Sequence, residues 1–216
     1  MAEATLTIRP INMGRVRFLI KGTAPYVQSK FSKRAIDAII ATQEAGSTIS
    51  RGKKAKAAKD FTAAYKEAMH LDADGQVGCP CAGLRNALIS ACRLVDYQMT
   101  KAKLSIFVDA DTFDVDEGSP LFFLRGPNGE PPVSEPLLLP SRNATGVVDI
   151  HPRPIWREWS ATPRVKWDAD QFTQDDVFNL LMRVGEQVGL GEGRHGSKMS
   201  YGMGFGTFHV EAAING

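Results

Sequence analysis

The sequence predicts an α+β fold in a single domain, residues 1–216, built on a β-α-β-β-α-β order, the ferredoxin-like or RRM-type plan. Apolar residues alternate with a period of two near residues 14–23, 103–108, 155–167 and 205–212. Segments 79–97 and 174–188 instead repeat apolar residues at helical spacing. Setting aside two polar stretches, 24–76 and 109–150, leaves strand, helix, strand, strand, helix, strand. A chain of 216 residues, 43% hydrophobic and 23% charged, buries a core without disulfide staples.

The first strand, residues 14–23, directs Val16, Phe18 and Ile20 to one side, and Gly22 through Pro25 end it. Residues 31–40 predict a short helix capped by Ser32, with Ile36, Ile39 and Ile40 on one face. After a polar break at 45–50, residues 51–69 predict a basic helix whose narrow apolar stripe is Phe61, Tyr65 and Met69; parts of 43–58 are expected to lack fixed structure without a ligand. These parts form a basic helical insertion, 24–76.

Residues 79–97 predict a strong helix with Pro80 at its start and Leu84, Leu88, Ala91 and Val95 on its buried face. A strand at 103–108 leads into a loop-rich insertion, 109–150. That insertion holds an acidic loop, a short strand at 121–124, a turn at 126–129 and a further strand at 137–139. In the β-rich stretch 155–167, Pro163 marks an edge or bulge. Thr173 caps the next helix, Val177, Leu180, Leu181, Val184 and Val188 face the core, and Gly189 stops it. A glycine-rich loop and a strand at 205–212 complete the chain.

The net charge of +2 conceals an uneven distribution. Residues 30–66 carry nine Lys and Arg against three acids, whereas residues 67–140 carry five against eleven. Within the basic stretch, Arg51, Lys53, Lys54, Lys56 and Lys59 fall within nine residues, and Lys30 and Arg34 precede them; each cation can neutralise a phosphate. Residues 189–206 hold seven glycines in eighteen positions, with Arg194, His195, Lys198 and Tyr201 interleaved. Glycines let backbone N–H groups approach an anion, and an aromatic ring can stack on a base. Because this loop follows a helix and opens a strand, it is not a dinucleotide fingerprint. A third constellation is Arg153, Trp156, Arg157 and Trp159, where arginine beside tryptophan suits phosphate contact with base stacking. Trp156 and Trp159 are three apart, so a strand would turn them to opposite sides, and at least one is structural.

Enzyme signatures are missing from the sequence: there is no H-E-x-x-H, Walker lysine loop or G-x-S-x-G. Asp109, Asp111, Asp114, Asp116 and Glu117 form an acidic run without calcium-loop spacing and read as a solvated loop. Cys79-Pro80-Cys81 with His70 supplies part of a metal set, but structural zinc takes four ligands and commonly C-x2-C. Small buried thiols at a helix start are the reading adopted. No catalytic residue, metal or cofactor is expected. No run of 18 apolar residues suits a membrane span, residues 1–10 lack a signal peptide's apolar stretch, and three cysteines do not suit a secreted framework; a cytoplasmic chain is expected.

Residues 79–93, CPCAGLRNALISACR, resemble the helix of the RAMP superfamily, which includes backbone subunits of CRISPR effector complexes. Residues 202–208, GMGFGTF, are similar to that superfamily's glycine-rich loop and closing strand. The stretch RPIWREWSATPRVKWD, the helix ending in VGLG and the later FGTF are also similar to small phage and prophage proteins, implying a bacterial host cell. The resemblance covers roughly half the chain. It implies an RRM-like core holding single-stranded RNA along a filament of subunits, with Gly202, Gly204 and Gly206 approaching the strand. Arg85, within the resembling helix, joins the candidate binding residues.

The expectation is therefore non-catalytic binding of single-stranded nucleic acid, RNA favoured, by a subunit that oligomerises along the strand. Alternatives are a phage protein that binds or anneals single-stranded DNA, a metal-dependent nuclease using Asp72, Asp74 or the carboxylates of 109–116, and an inhibitor mimicking a RAMP subunit.

Overall fold

The computed structural model describes residues 8–44, 46, 60–142, 148–196 and 202–214. It is a mixed α/β structure whose main sheet is antiparallel. Central strand β1 (Met13–Gly22) pairs on one side with β11 (Phe208–Ile214) and on the other with β10 (Arg164–Asp168), which pairs in turn with β4 (Ile106–Asp109). Beyond Pro163, the two-residue strand β9 (Ser160–Ala161) continues along β1 and carries β6 (Pro120–Arg125). Strand β6 then pairs with β3 (Gly78–Pro80) and β5 (Thr112–Phe113). Proline at 163 thus marks the irregularity expected of it, since its carbonyl accepts from Phe18 N between the two short strands.

Two helices pack together on this sheet: α3 (Cys81–Ala91) and α5 (Gln174–Arg183). Leu84, Leu88 and Ala91 of α3 and Val177 and Leu181 of α5 are fully buried. They meet Phe18 and Ile20, the alternate residues on one face of β1. Thr173 caps α5 in a reciprocal capping box with Asp176. A π-helical turn, Val184–Val188, extends α5, and Gly189 at φ 75° stops it. Gly185 is required within that turn, because a β-carbon there would overlap the Phe208 carbonyl oxygen of β11.

The helix expected at 79–97 is shorter. Cys79 and Pro80 belong to β3, and a 3-10 turn, Cys92–Val95, follows α3 and leaves Val95 exposed. The strand expected at 103–108 begins only at Ile106. Before it lies α4 (Met99–Ser105), whose Met, Lys, Ala and Leu residues favour helix and whose Ala102 is buried. The closing strand lies at 208–214 rather than 205–212, and Glu211 is an extra residue in its register with β1.

A second sheet of three strands orders β2 (Tyr26–Val27), β8 (Val148–Trp156) and β7 (Glu135–Arg142). The region expected to be loop-rich therefore contributes a long ribbon. Pro136, Pro140, Pro152 and Pro154 share one parity in its register, and the Pro154 carbonyl faces Gln28 N across from β7. Their missing N–H groups consequently fall outside the β7–β8 ladder.

Helix α1 (Lys33–Glu44) is capped by Ser32, whose hydroxyl accepts from Ala35 N, but buries no residue: Ile36, Ile39 and Ile40 stay exposed. Helix α2 (Phe61–Glu67) starts at Asp60, whose carboxylate accepts from the N–H groups of Thr62 and Ala63, and packs against β8. Cys79, Cys81 and Cys92 are free and buried. Among the described residues no helix is long and apolar enough to cross a membrane.

Candidate nucleic-acid interface

A groove of about 650 Å³ separates the outer face of α3 from the glycine-rich loop. One wall presents Asn86, Ser90 and Arg93; the other runs from Gln187 to Arg194. Tyr26, Gln28, Ser29 and His70 also line it.

Backbone hydrogen bonds lock the loop wall onto β2. Glu192 N donates to Val27 O at 2.9 Å, Gly206 N to Pro25 O at 2.7 Å, and Leu190 N to Gly206 O at 3.0 Å. Glycine is obligatory at two of these crossings. Gly191 and Gly206 have φ of 75° and 70°, and β-carbons there would overlap the carbonyl oxygens of Val27 and Leu190 respectively. The amide of Gly206 is therefore spent inside the protein, which corrects its expected approach to a bound strand. A β-carbon at Gly202 meets nothing within 4 Å, and one at Gly204 meets only the His195 ring.

The inner side of the groove rests on a buried polar network. Lys30 Nζ lies 2.7 Å from Asp114 Oδ1 and 2.7 Å from Asp116 Oδ2, and the Lys30 side chain is 3% exposed. Asp114 also accepts from the N–H groups of Asp116 and Glu117, and its other oxygen lies 2.9 Å from His70 Nδ1. His70 N donates to Gln28 Oε1, whose amide nitrogen donates to Gly78 O. These bonds fix the His70 ring on the groove lining.

Burial alone pushes the Asp114 carboxyl up, but Lys30, the two backbone N–H groups and His70 outweigh it and hold the group below its ordinary range. Burial likewise pulls the Lys30 ammonium down, and its bonds to Asp114 and Asp116 reverse that and raise it. Burial lifts the thiol of Cys79, which also lines the groove, to about 12.

The residues expected to bind nucleic acid divide clearly. Lys30 is not available to phosphate, because its ammonium is enclosed by two carboxylates. Arg85 turns away to donate to the carbonyls of Ile106 and Lys103 and lies over the Phe107 ring. Trp156 is 0% exposed and packs on Tyr26 with ring centroids 5.7 Å apart, so it stacks within the core and not on a base. Trp159 joins the same aromatic cluster, because residues 157–158 leave the strand and the expected alternation fails there. Arg153 and Arg157 are in ion pairs with Glu192 at 2.7 Å and Glu135 at 2.9 Å. Arg34 is exposed on α1, and Arg194 and His195 lie on the loop, Arg194 donating to Gly191 O. Arg51, Lys53, Lys54, Lys56, Lys59, Lys198 and Tyr201 lie outside the described residues.

Most of the carboxylates considered for metal-dependent cleavage, Asp74 apart, are already engaged. Asp109 pairs with Arg15 and Lys166, Asp111 with Arg17, and Asp72 accepts from the N–H groups of Asp74 and Gln76. Among the described residues no three metal-ligating side chains gather.

Asn86, Ser90, Arg93 and Gln187 escaped notice in the sequence, and His70 was weighed there only as part of a metal set. Each is an isolated polar residue, and only the packing of α3 beside the π-helical turn aligns them. Of the charged groups on the groove, Arg93 and Arg194 outnumber Glu192, itself neutralised by Arg153. No family model matches the chain, and no curated protein matches it.

Proposed function

We propose that this chain binds single-stranded nucleic acid, RNA favoured, without cutting it, as a RAMP-like subunit that assembles along the strand. The observation that carries the reading is the groove between α3 and the glycine-rich loop, whose charged groups, Arg93 and Arg194 against Glu192, are weighted toward cations. Its loop wall and the root of the basic segment share a support. Helix α2 packs on β8, and Arg153 of β8 holds Glu192 of the loop. The order β11-β1-β10-β4, with α3 and α5 packed together on it, supports a ferredoxin-like core under the basic insertion. The ion-paired state of the acidic residues favours binding over metal-assisted cleavage.

The test is fluorescence anisotropy of labelled RNA and DNA 30-mers across a salt series, with particle mass followed by light scattering. RNA is expected to bind more tightly, with mass growing with strand length. Changing Lys53, Lys54 and Lys56 together to Ala is expected to weaken every sequence alike and to flatten the log–log salt slope by roughly 2, at about 0.7 per phosphate on single strands. Failure to retain any oligomer at low salt removes the reading. Tighter binding to DNA redirects it to a strand-annealing protein.

A further inference from the structure

We infer that the groove between α3 and the glycine-rich loop reads base identity, seating one unstacked adenine of the bound strand between Asn86 and Gln187. The inference rests on the strand-binding reading and adds sequence preference to it. Most exposed polar side chains on a phosphate-tracking surface are cations. Here each wall contributes an amide to the lining, Asn86 from α3 and Gln187 from the π-helical turn. Neither amide has a hydrogen-bond partner among the described residues, and the hydroxyl of Ser90, one turn from Asn86, has none either.

A side-chain amide offers a donor and an acceptor side by side. That pair matches the amine and adjacent ring nitrogen on one edge of adenine, the usual partner of Asn and Gln. The volume, about 650 Å³, suits a base with its sugar, within the roughly 300–1,000 Å³ usual for ligand clefts. Single strands are read this way, by splayed bases hydrogen-bonded on their edges.

Phosphate contacts have their own donors. Among the described residues, Arg93 donates only through Nε, toward Met99 Sδ at 2.7 Å, and Arg194 through one terminal nitrogen, toward Gly191 O at 2.8 Å. Each leaves the rest of its fork available to the strand on either side of the seated base. His70, pinned through Nδ1 by Asp114, has no protein partner at Nε2 among the described residues and adds a fixed polar edge to the lining.

The experiment measures binding of oligo(A), oligo(C) and oligo(U) RNA at one salt concentration to the full chain and to Asn86→Ala, Asn86→Asp and Gln187→Ala. Both positions are exposed, so circular dichroism and melting are expected to stay at the parent values. Oligo(A) is expected to bind about tenfold more tightly than oligo(U), within the discrimination of a good amide–adenine pair. Each substitution is expected to cut that preference to about twofold or less without changing the salt slope. Asn86→Asp keeps the shape and removes the donor, so it separates amide chemistry from packing. Equal affinities for the three oligomers, preference for another base, or a preference untouched by all three variants overturns the inference. Tight, salt-dependent, base-blind binding leaves the strand-binding reading standing; no binding of any oligomer removes both.

Discussion

Lys30 shows how a single residue misleads when its partners are distant. It stands in a basic stretch, yet its partners Asp114 and Asp116 lie more than eighty positions away in an acidic one. A charge count along the chain sees two separate blocks, whereas the fold joins them. Removing one member of such a buried pair leaves the other charge without compensation. Lys30→Met is therefore expected to cost about 3–5 kcal/mol in urea unfolding near neutral pH. The pH dependence follows from both shifts. Asp114 is lowered from 3.8, so its contribution is present above that value and is lost as pH falls through the folded-state value. Lys30 is raised from 10.5, so its contribution is present below that value and is lost as pH rises through the folded-state value. The difference between parent and variant is expected to be largest between pH 3.8 and 10.5 and to shrink on either side. A difference that does not vary with pH contradicts the pairing. Trp156 teaches the same lesson for aromatic residues: its neighbours Arg153 and Arg157 suggested a ligand, and its 0% exposure assigns it to the core.

Elements were legible where one face carried a long periodic signal. The buried positions of α5 and its Thr173 cap read directly from spacing, because five apolar residues at helical intervals leave little ambiguity. Short apolar runs did not have that advantage. The stretch KLSIFV alternates like a strand, but its first half completes α4 and only Ile106 onward pairs with β10. Prolines hid the β7–β8 ribbon, since proline argues against a strand unless its missing donor falls outside the ladder. The glycine-rich loop was visible as composition, but its division of labour was not. Gly206→Ala is expected to lower stability by at least about 2 kcal/mol, because strain at φ 70° adds to overlap with the Leu190 carbonyl. Gly202→Ala, at φ 63° with open space around it, is expected to cost only about 1–2 kcal/mol. Paired thermal melts check this ranking; equal losses would mean that the Leu190 crossing is not what requires glycine.

For the molecule as a whole, the mixture of helices and strands was readable, but the meeting of distant segments was not. The groove exists because the turn after α5 returns beside α3 and because β2, at the start of the basic insertion, receives the loop between α5 and β11. Those contacts join residues near 26, 86 and 190, and no local pattern encodes them. The three cysteines carry a practical consequence of the same burial. Cys79 and Cys92 lie within the common core, and burial lifts Cys79 and Cys81 to about 12, so neither presents a thiolate at neutral pH. Alkylating reagents must wait for the helix-and-sheet sandwich to come apart. Labelling in native buffer is expected to advance at one shared pace for all three sulfurs, following global opening and slowing when a ligand occupies the groove. One sulfur reacting well ahead of the others, tracked by mass spectrometry, would reveal a door in the wall beside α3. The chain thus carries its own timer, three dormant nucleophiles that count each moment the fold lets go.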